Sequence, residues 1–231
     1  MTQTLAMLHT VTGLIPTFQQ LCDEIMSETE TFHMVDESLL KNTIKSGHLT
    51  PNTTRRVLDH VASAEAAGAD AVLVTCSSIG HAAELAQSVV TVPVIRVDEA
   101  MADLAVRIGS RIGIIATLRT TLEPTVEMVR ARADAAGSEI TLTARLCDGA
   151  FDALKRGDAT LHDALVAEGL RQLLADVDVV VLAQASMARV ADALPPDEQL
   201  VPMLTSPRSG VERAHAAMLT IGNDGKAPAS A

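Results

Sequence analysis

The chain has 231 residues and a formal net charge of −11, and hydrophobic residues make up 48% of the sequence. Nucleic-acid binding needs clustered Lys and Arg or aromatic stacking platforms, so the acidic balance and the aromatic content of 1% exclude the usual nucleic-acid-binding proteins. No apolar run approaches the roughly 20 residues that span a bilayer, and the first basic residue is Lys41, so we expect neither a membrane span nor a signal peptide.

The first half of the chain alternates predicted strands and helices. Apolar runs predict strands at 5–9, 31–35, 70–75 and 92–97. Thr50, followed by proline, is a typical helix N-cap, and Ser78 can cap a helix that follows Cys76. Cys22 lies on the apolar stripe of the first predicted helix, and we expect it to pack in the core.

The second half of the chain repeats the first. Five landmarks recur in the same order at offsets of 107 to 112 residues: Thr10 and Thr117, Asp36 and Asp148, Gly47 and Gly157, Cys76 and Gln184, and Pro93 and Pro202. Strands that alternate with helices favour parallel sheets with helices on both faces. The sequence therefore predicts an α/β protein built from two related halves.

The expected ligand site lies at the strand ends, because parallel sheets bind ligands beyond the carboxyl ends of their strands. Cys76 ends a predicted strand in the first half, and Gln184 takes its place in the second. We expect these two side chains to face each other across a cleft between the halves. Hydroxyl and backbone N–H groups of the strand ends are expected to bind a small carboxylate there. The residues concerned are Thr10, Thr12, Thr75, Ser77, Ser78, Thr117, Thr120, Ala185 and Ser186.

Three segments resemble motifs of the aspartate/glutamate/hydantoin racemase superfamily, and the resemblance covers nearly the whole chain. Val74–Ser78 (VTCSS) looks like its first cysteine motif, Leu182–Met187 (LAQASM) stands at the second, and Ala116–Thr120 (ATLRT) is similar to its Gly-Thr-x-x-Thr segment. The resemblance implies two pseudo-symmetric Rossmann-like lobes with the active site in the cleft between them. Lobe 1 would comprise 1–99 plus 206–231, and lobe 2 would comprise 100–205. It also implies cofactor-independent chemistry and a homodimer.

The chain departs from the superfamily at its second cysteine. Racemases of the superfamily use two cysteines on opposite faces of the substrate α-carbon, one to remove a proton and one to deliver it. Gln184 stands at the second position, and a carboxamide does not titrate. Cys76 precedes a predicted helix N-terminus, which favours a thiolate. We therefore predict a racemase-type isomerase that acts alpha to the carboxylate of a small acid, such as an amino acid or a hydantoin, with Cys76 as acid/base.

Other chemistries remain open for one thiol and one amide. Racemisation would pair Cys76 with water, His9, His81 or Cys147 as the second acid/base. Decarboxylation of a malonate-type acid needs a single proton donor, and thiolate addition would support cis–trans isomerisation. A non-catalytic protein that binds small carboxylates is the alternative from a different class.

The sequence indicates no cofactor and no metal. No glycine-rich phosphate loop follows a predicted strand, and the histidines form no ligand pattern. The three cysteines are widely spaced and form neither a disulfide framework nor a zinc motif, so we expect a cytoplasmic protein.

Overall fold

Two parallel sheets, one in each half of the chain, form the framework of the protein. The computed structural model describes residues 2–224. The first sheet has four strands in the order β2-β1-β3-β4, with bounds β1 Thr4–His9, β2 Glu30–Val35, β3 Ala71–Val74 and β4 Val94–Arg96. The second sheet has four strands in the order β6-β5-β7-β8, with bounds β5 Arg111–Ala116, β6 Thr141–Leu146, β7 Val179–Leu182 and β8 Met203–Thr205. The predicted α/β class and the repeated half are confirmed.

Helices connect the strands and cover the sheets. In the described chain they are α1 Ile15–Ile25, α2 Glu37–Ser46, α3 Pro51–Ala66, α4 Gly80–Ala86, α5 Glu99–Ile108, α6 Arg119–Ala136, α7 Ala150–Lys155, α8 Ala159–Leu174, α9 Ala188–Asp192 and α10 Ser206–Asp224. Short 3₁₀ turns lie at Thr12–Leu14, Ser77–Ile79 and Ala185–Met187. Between residues 2 and 224, no helix is both long and apolar enough to cross a membrane.

The repeat extends to the helix caps. The Thr50 hydroxyl accepts a hydrogen bond from the Thr53 N–H at 3.2 Å and so caps α3, as predicted. At the matching position in the second half, the Asp158 carboxylate accepts from the Leu161 N–H at 3.0 Å and caps α8. Both helices contain 16 residues. Each cap pairs one of the backbone N–H groups that a helix N-terminus leaves without an intrahelical partner.

The chain divides into two compact units. The first contains the residues up to Thr43, Leu49–Val97 and the chain from Pro207 onward, and the second contains Ile44–His48 and Asp98–Ser206. The lobe boundaries implied by the resemblance stay a prediction. Of the residues assigned there to lobe 1, Met1 and 225–231 lie outside the described residues.

Each sheet has apolar side chains on both faces, because successive residues of a strand point to opposite sides. In the first unit, Leu5 and Met7 pack against α1 and α10, whereas Ala6 and Leu8 pack against α3 and α4. Cys22 is 1% exposed within the first of these clusters, which confirms its predicted core position. The second sheet is covered by α8 and α9 on one face and by α5 and α6 on the other.

The two central strands pair in the same register in both sheets. Leu8 of β1 is opposite Val74 of β3, and Ile115 of β5 is opposite Leu182 of β7. The hydrogen bond that follows each pair also repeats, since the Thr75 N–H donates to the Leu8 carbonyl at 3.1 Å and the Ala183 N–H to the Ile115 carbonyl at 3.0 Å. Structurally equivalent residues can therefore be compared one by one at the two strand ends.

Gly210 lies where α10 packs closely against the first sheet, and its substitution measures how closely. A Cβ atom at Gly210 would come 2.9 Å from the backbone oxygen of Val97, the residue after β4. We expect Gly210→Ala to lower the free energy of unfolding by about 1–3 kcal/mol, because overpacking outweighs the better helix propensity of alanine. Urea unfolding measures the difference. Gly13→Ala is the matched control, since no atom lies within 4 Å of its added Cβ, and equal stability of the two variants would contradict the close packing.

Candidate active site

Cys76 lies directly after β3, where its backbone is still extended. Its sulfur accepts hydrogen bonds from the Thr10 hydroxyl, from the N–H and hydroxyl of Ser78, and from the Ile79 N–H. Thr10 follows β1, the strand paired with β3, so the ends of neighbouring strands bring the hydroxyl and the thiol together. The structure thus assembles Thr10, Cys76 and Ser78, three of the residues that the sequence singles out.

The surroundings of the Cys76 thiol shift its pKa in opposing directions. Burial is the largest influence and raises the pKa, because a desolvated thiolate is disfavoured. The hydrogen bonds from Thr10, Ser78 and Ile79 lower the pKa, because they stabilise the thiolate. The net pKa lies above its usual value, so the protonated thiol is the resting form at neutral pH. Donors are already in place for the thiolate when it forms.

The segment after Cys76 differs from the predicted helix start. The turn Ser77–Ile79 comes first, and α4 begins only at Gly80, with Ile79 as its N-cap. The prediction that Ser78 caps the helix is therefore wrong, and its hydroxyl donates to the Cys76 sulfur instead. Serine favours caps and turns alike, because its short hydroxyl reaches nearby groups in both.

Arg96, the last residue of β4, packs against the start of α4. Its side chain is 7% exposed, and Nη1 donates to Glu84 at 2.6 Å. A Cβ atom at Gly80 would come 2.4 Å from the Arg96 Cζ, so glycine is needed for the guanidinium to lie there. This contact supports the segment that follows the Cys76 turn.

Gln184 occupies the corresponding position after β7. Its carboxamide oxygen accepts from the Thr117 N–H at 2.6 Å and from the Thr117 hydroxyl at 2.9 Å. Because a backbone N–H can only donate, this contact decides which end of the carboxamide is the oxygen. The NH₂ group therefore points away from Thr117 as a donor. Thr10 with Cys76 and Thr117 with Gln184 are the same pair of positions in the two units.

The remaining predicted residues lie at or near these strand ends. Thr120, the second residue of α6, is 8% exposed, and no described group lies within hydrogen-bond reach of its hydroxyl. Ala185 and Ser186 are partly exposed in the turn after Gln184. Thr12 is exposed in the turn after β1, and Ser77 is buried beside Cys76.

The Thr75 hydroxyl is directed into the first unit. It lies 3.0 Å from the Leu8 carbonyl and 2.9 Å from Nδ1 of His9. His9 is fully buried, its Nε2 lies 2.9 Å from Nδ1 of His33, and its ring packs edge-on against Phe18. Burial, aided by the charge of His33, lowers the pKa of His9 to about 4. At neutral pH His9 is thus an uncharged histidine with both ring nitrogens in hydrogen bonds.

Two further candidates for a second acid/base lie elsewhere in their units. His81 is exposed on α4 and contacts Glu84 at 3.1 Å. Cys147 is 6% exposed within a core cluster of the second unit, and burial raises its pKa to about 11. Considering residues 2–224 alone, no three His, Cys, Asp or Glu side chains are grouped to hold a metal ion.

Sequence reasoning missed His33 and the backbone donor at Ile79. His33 is opposite Met7 in the register of β1 with β2, which places its ring beside His9. Two histidines on one face of neighbouring strands were a usable signal, but it requires the register to be known. Backbone donors leave no signal of this kind, because every residue except proline has an N–H group.

A family model for Asp/Glu/Hydantoin racemases matches residues 9–214. Comparison with curated proteins gave no match. Among solved structures, glutamate racemase from Bacillus anthracis is similar with a TM-score of 0.75 and 16% identity, over 95% of this chain and 83% of that chain. Allantoin racemase from Klebsiella pneumoniae is similar with a TM-score of 0.66 and 18% identity, over 96% and 89% of the two chains.

Aspartate racemase from Picrophilus torridus is also similar, with a TM-score of 0.67 and 10% identity, over 95% of this chain and 94% of that chain. At such identities the solved structures establish the shared fold. The family model covers most of the sequence, including both strand ends described above. The chain belongs to the Asp/Glu/Hydantoin racemase family.

Proposed function

We propose that the protein is a racemase-type isomerase that moves the proton on the carbon alpha to the carboxylate of a small acid, with Cys76 as acid/base. The family and the racemase folds support a racemase-type enzyme. One observation supports Cys76 in particular: the hydroxyl and N–H groups around its sulfur are arranged to stabilise a thiolate.

The proposed step balances with groups of this chain. The Cys76 thiolate takes the α-proton, and the electron pair of the broken C–H bond moves onto the substrate carboxylate as an enolate. Hydroxyl and N–H groups of the strand ends stabilise the charge that develops. Return of the proton from the thiol regenerates the substrate. Delivery of a proton from water to the opposite face inverts it, and the hydroxide that remains takes the proton of the thiol and restores the thiolate.

Gln184 serves the proposed reaction as a hydrogen-bond donor. Thr117 holds its oxygen, which leaves the NH₂ group for a carboxylate or enolate oxygen. A carboxamide does not deliver a proton, so inversion depends on water. The buried hydroxyl of Thr120, without a partner among the described residues, supports the same binding role for this strand end. Both roles assume that the two strand ends serve one substrate, as the sequence repeat predicts.

The family and the similar solved structures support the proposed substrate class. The similar solved structures are named as racemases of glutamate, aspartate and allantoin, so small amino acids and hydantoin-like compounds are the first substrates to test. Cofactor-independent chemistry, a homodimer and a cytoplasmic location stay predictions.

Decarboxylation of a malonate-type acid is the second candidate, and the state of Cys76 favours it. The raised pKa keeps the thiol protonated at rest, and Gln184 cannot act as a second acid. In this reaction the bond to one carboxyl carbon breaks, CO₂ leaves, and the electron pair forms an enolate with the other carboxylate. The Cys76 S–H then protonates the carbon, and the thiolate regains a proton from water.

Cys76→Ala should abolish proton exchange while ligand binding persists, because the thiol is the acid/base and its neighbours bind the carboxylate. We expect the rate of α-proton exchange in D₂O to fall by about 10³-fold or more. NMR measures this rate on a panel of amino acids, hydantoins and 2-substituted acids. Cys147→Ala is the matched control, since it removes a buried thiol of the core. An unchanged rate of α-proton exchange in Cys76→Ala would contradict the assignment of Cys76 as acid/base.

Gln184→Cys should add inversion to exchange, because it restores a thiol at the position related to Cys76 by the repeat. We expect the rate of inversion, measured by chiral chromatography, to rise on the order of a hundredfold. Gln184→Ser is the control, because serine is similar in size to cysteine but bears a hydroxyl that does not titrate near neutral pH. Equal inversion in the two variants would show that this position does not face the reacting carbon.

The pH profile separates the two candidate reactions. Proton abstraction needs the thiolate, so its rate should rise with pH through the raised pKa of Cys76. Decarboxylation needs the thiol, so its rate should be steady near neutral pH and fall as the thiol ionises. The two reactions are compared by measuring proton exchange on the amino acids, hydantoins and 2-substituted acids, and CO₂ release from 2-substituted malonates, between about pH 6 and pH 10. A profile without either limb would contradict Cys76 as the titrating group.

A further inference from the structure

A polar cluster lies behind the strand end that bears Cys76, on the face of the sheet covered by α1. His9 bridges the Thr75 hydroxyl and His33, with 2.9 Å on each side. Nε2 of His33 lies 3.0 Å from Oε1 of Gln19, and the Gln19 NH₂ donates to the Asp23 carboxylate at 2.7 Å. The cluster thus connects α1 to β2, β1 and the end of β3, where Thr75 precedes Cys76.

The second unit lacks this cluster although its sheet is built in the same register. Ala116 of β5 corresponds to His9, Ala144 of β6 to His33, and Ala183 after β7 to Thr75. Alanine is therefore sufficient for the fold at all three positions. Buried polar groups destabilise a core unless each finds a partner. Their presence in the unit with the thiol, and their replacement in the unit with Gln184, indicates a role tied to the thiol.

Donors and acceptors permit one arrangement of the cluster when both rings are neutral. The Asp23 carboxylate accepts from the Gln19 NH₂, so the Gln19 oxygen faces His33 Nε2. That oxygen only accepts, so His33 bears its hydrogen on Nε2, and its Nδ1 accepts from His9 Nε2. Nδ1 of His9 is then a bare acceptor, and the Thr75 hydroxyl donates to it.

We propose that His9 is a positioning residue: its ring ties the end of β1 to the end of β3 and thereby holds Thr10 against the Cys76 sulfur. The bridge starts one residue before Thr10 and ends one residue before Cys76. It therefore sets the spacing of the hydroxyl and the thiol that meet in the next position of each strand. The inference rests on the proposed function only for the use of the thiol in turnover.

Proton uptake by the histidine pair would reverse the last hydrogen bond. His9 Nδ1 would then donate to Thr75, whose hydroxyl would turn to the Leu8 carbonyl, 3.0 Å away. Burial and the charge of His33 lower the pKa of His9 to about 4, so the neutral arrangement prevails at neutral pH. Among the side chains that the structure describes, the titratable groups on the helices that cover this face are Cys22, Asp23 and Glu24 on α1, and Arg208, Glu212, Arg213 and His215 on α10.

Imidazole ¹⁵N NMR tests the hydrogen-bond arrangement directly. We expect His9 at pH 7 to show a bare Nδ1 and a protonated Nε2, with the signals assigned by their loss in His9→Gln. A protonated Nδ1 at that pH would overturn the arrangement, because Thr75 could not then donate to the ring.

The matched variants Thr75→Val and Thr75→Ser test the effect on the thiol. Valine has the shape of threonine but removes the hydroxyl, whereas serine keeps it. We expect alkylation of Cys76 by iodoacetamide at pH 8 to slow about tenfold in Thr75→Val, the size of one lost hydrogen bond, and to stay within about twofold in Thr75→Ser. The rate of alkylation, followed from about pH 6 to pH 10, should show a higher pKa of Cys76 in Thr75→Val than in Thr75→Ser. Equal rates at pH 8 and the same pH profile of alkylation in the two variants would overturn the proposal.

Internal controls separate this effect from unfolding. Cys22 and Cys147 are buried, and burial raises the pKa of each to about 11, so peptide mass spectrometry should find them unmodified in a folded variant. Alkylation and NMR need no substrate. Expected results in both, together with no exchange or decarboxylation on any acid, would contradict the proposed function alone. Proton exchange that needs Cys76, with identical alkylation of the Thr75 variants, would overturn the positioning role alone.

Discussion

The parallel pairing of β1 with β3 determines which groups meet the Cys76 thiol. Leu8 is opposite Val74, so the next residues along each strand, His9 and Thr75, meet through their side chains. One position further, Thr10 meets Cys76. A shift of one residue would turn every one of these side chains to the other face. The chemistry at the strand end thus depends on a backbone register that the apolar strand interiors maintain.

The same register serves different chemistry in the second unit. Thr117 and Gln184 take the places of Thr10 and Cys76, and the threonine again supplies the donors. In the first unit the donors act on a sulfur whose charge can change. In the second they fix a carboxamide that keeps its protons and stays neutral. The two units thus share the geometry of the pair, whereas the group that the threonine contacts is a thiol in the first unit and a carboxamide in the second.

Much of the fold was predictable because apolar runs and cap residues act locally. The strands, the cap at Thr50 and the buried position of Cys22 depend on neighbours in sequence, whereas the repeat is visible from the order and spacing of similar residues. The structure confirms all of them. The cap assigned to Ser78 was wrong, because the hydroxyl found a partner in Cys76 two residues earlier. The contact of His33 with His9 was not predicted, because the two residues are 24 positions apart and meet only through strand pairing.

The sequence by itself determined the α/β class, the two related halves, and the exchange of a thiol for a carboxamide at equivalent strand ends. These properties follow from residue type and spacing, which are present before the chain folds. Tertiary structure alone decided that burial would raise the pKa of Cys76, that Thr117 would orient Gln184, and that His9 would lie within hydrogen-bond distance of both His33 and Thr75. Desolvation and hydrogen bonding depend on distances across strands, and those distances exist only once the sheet has formed.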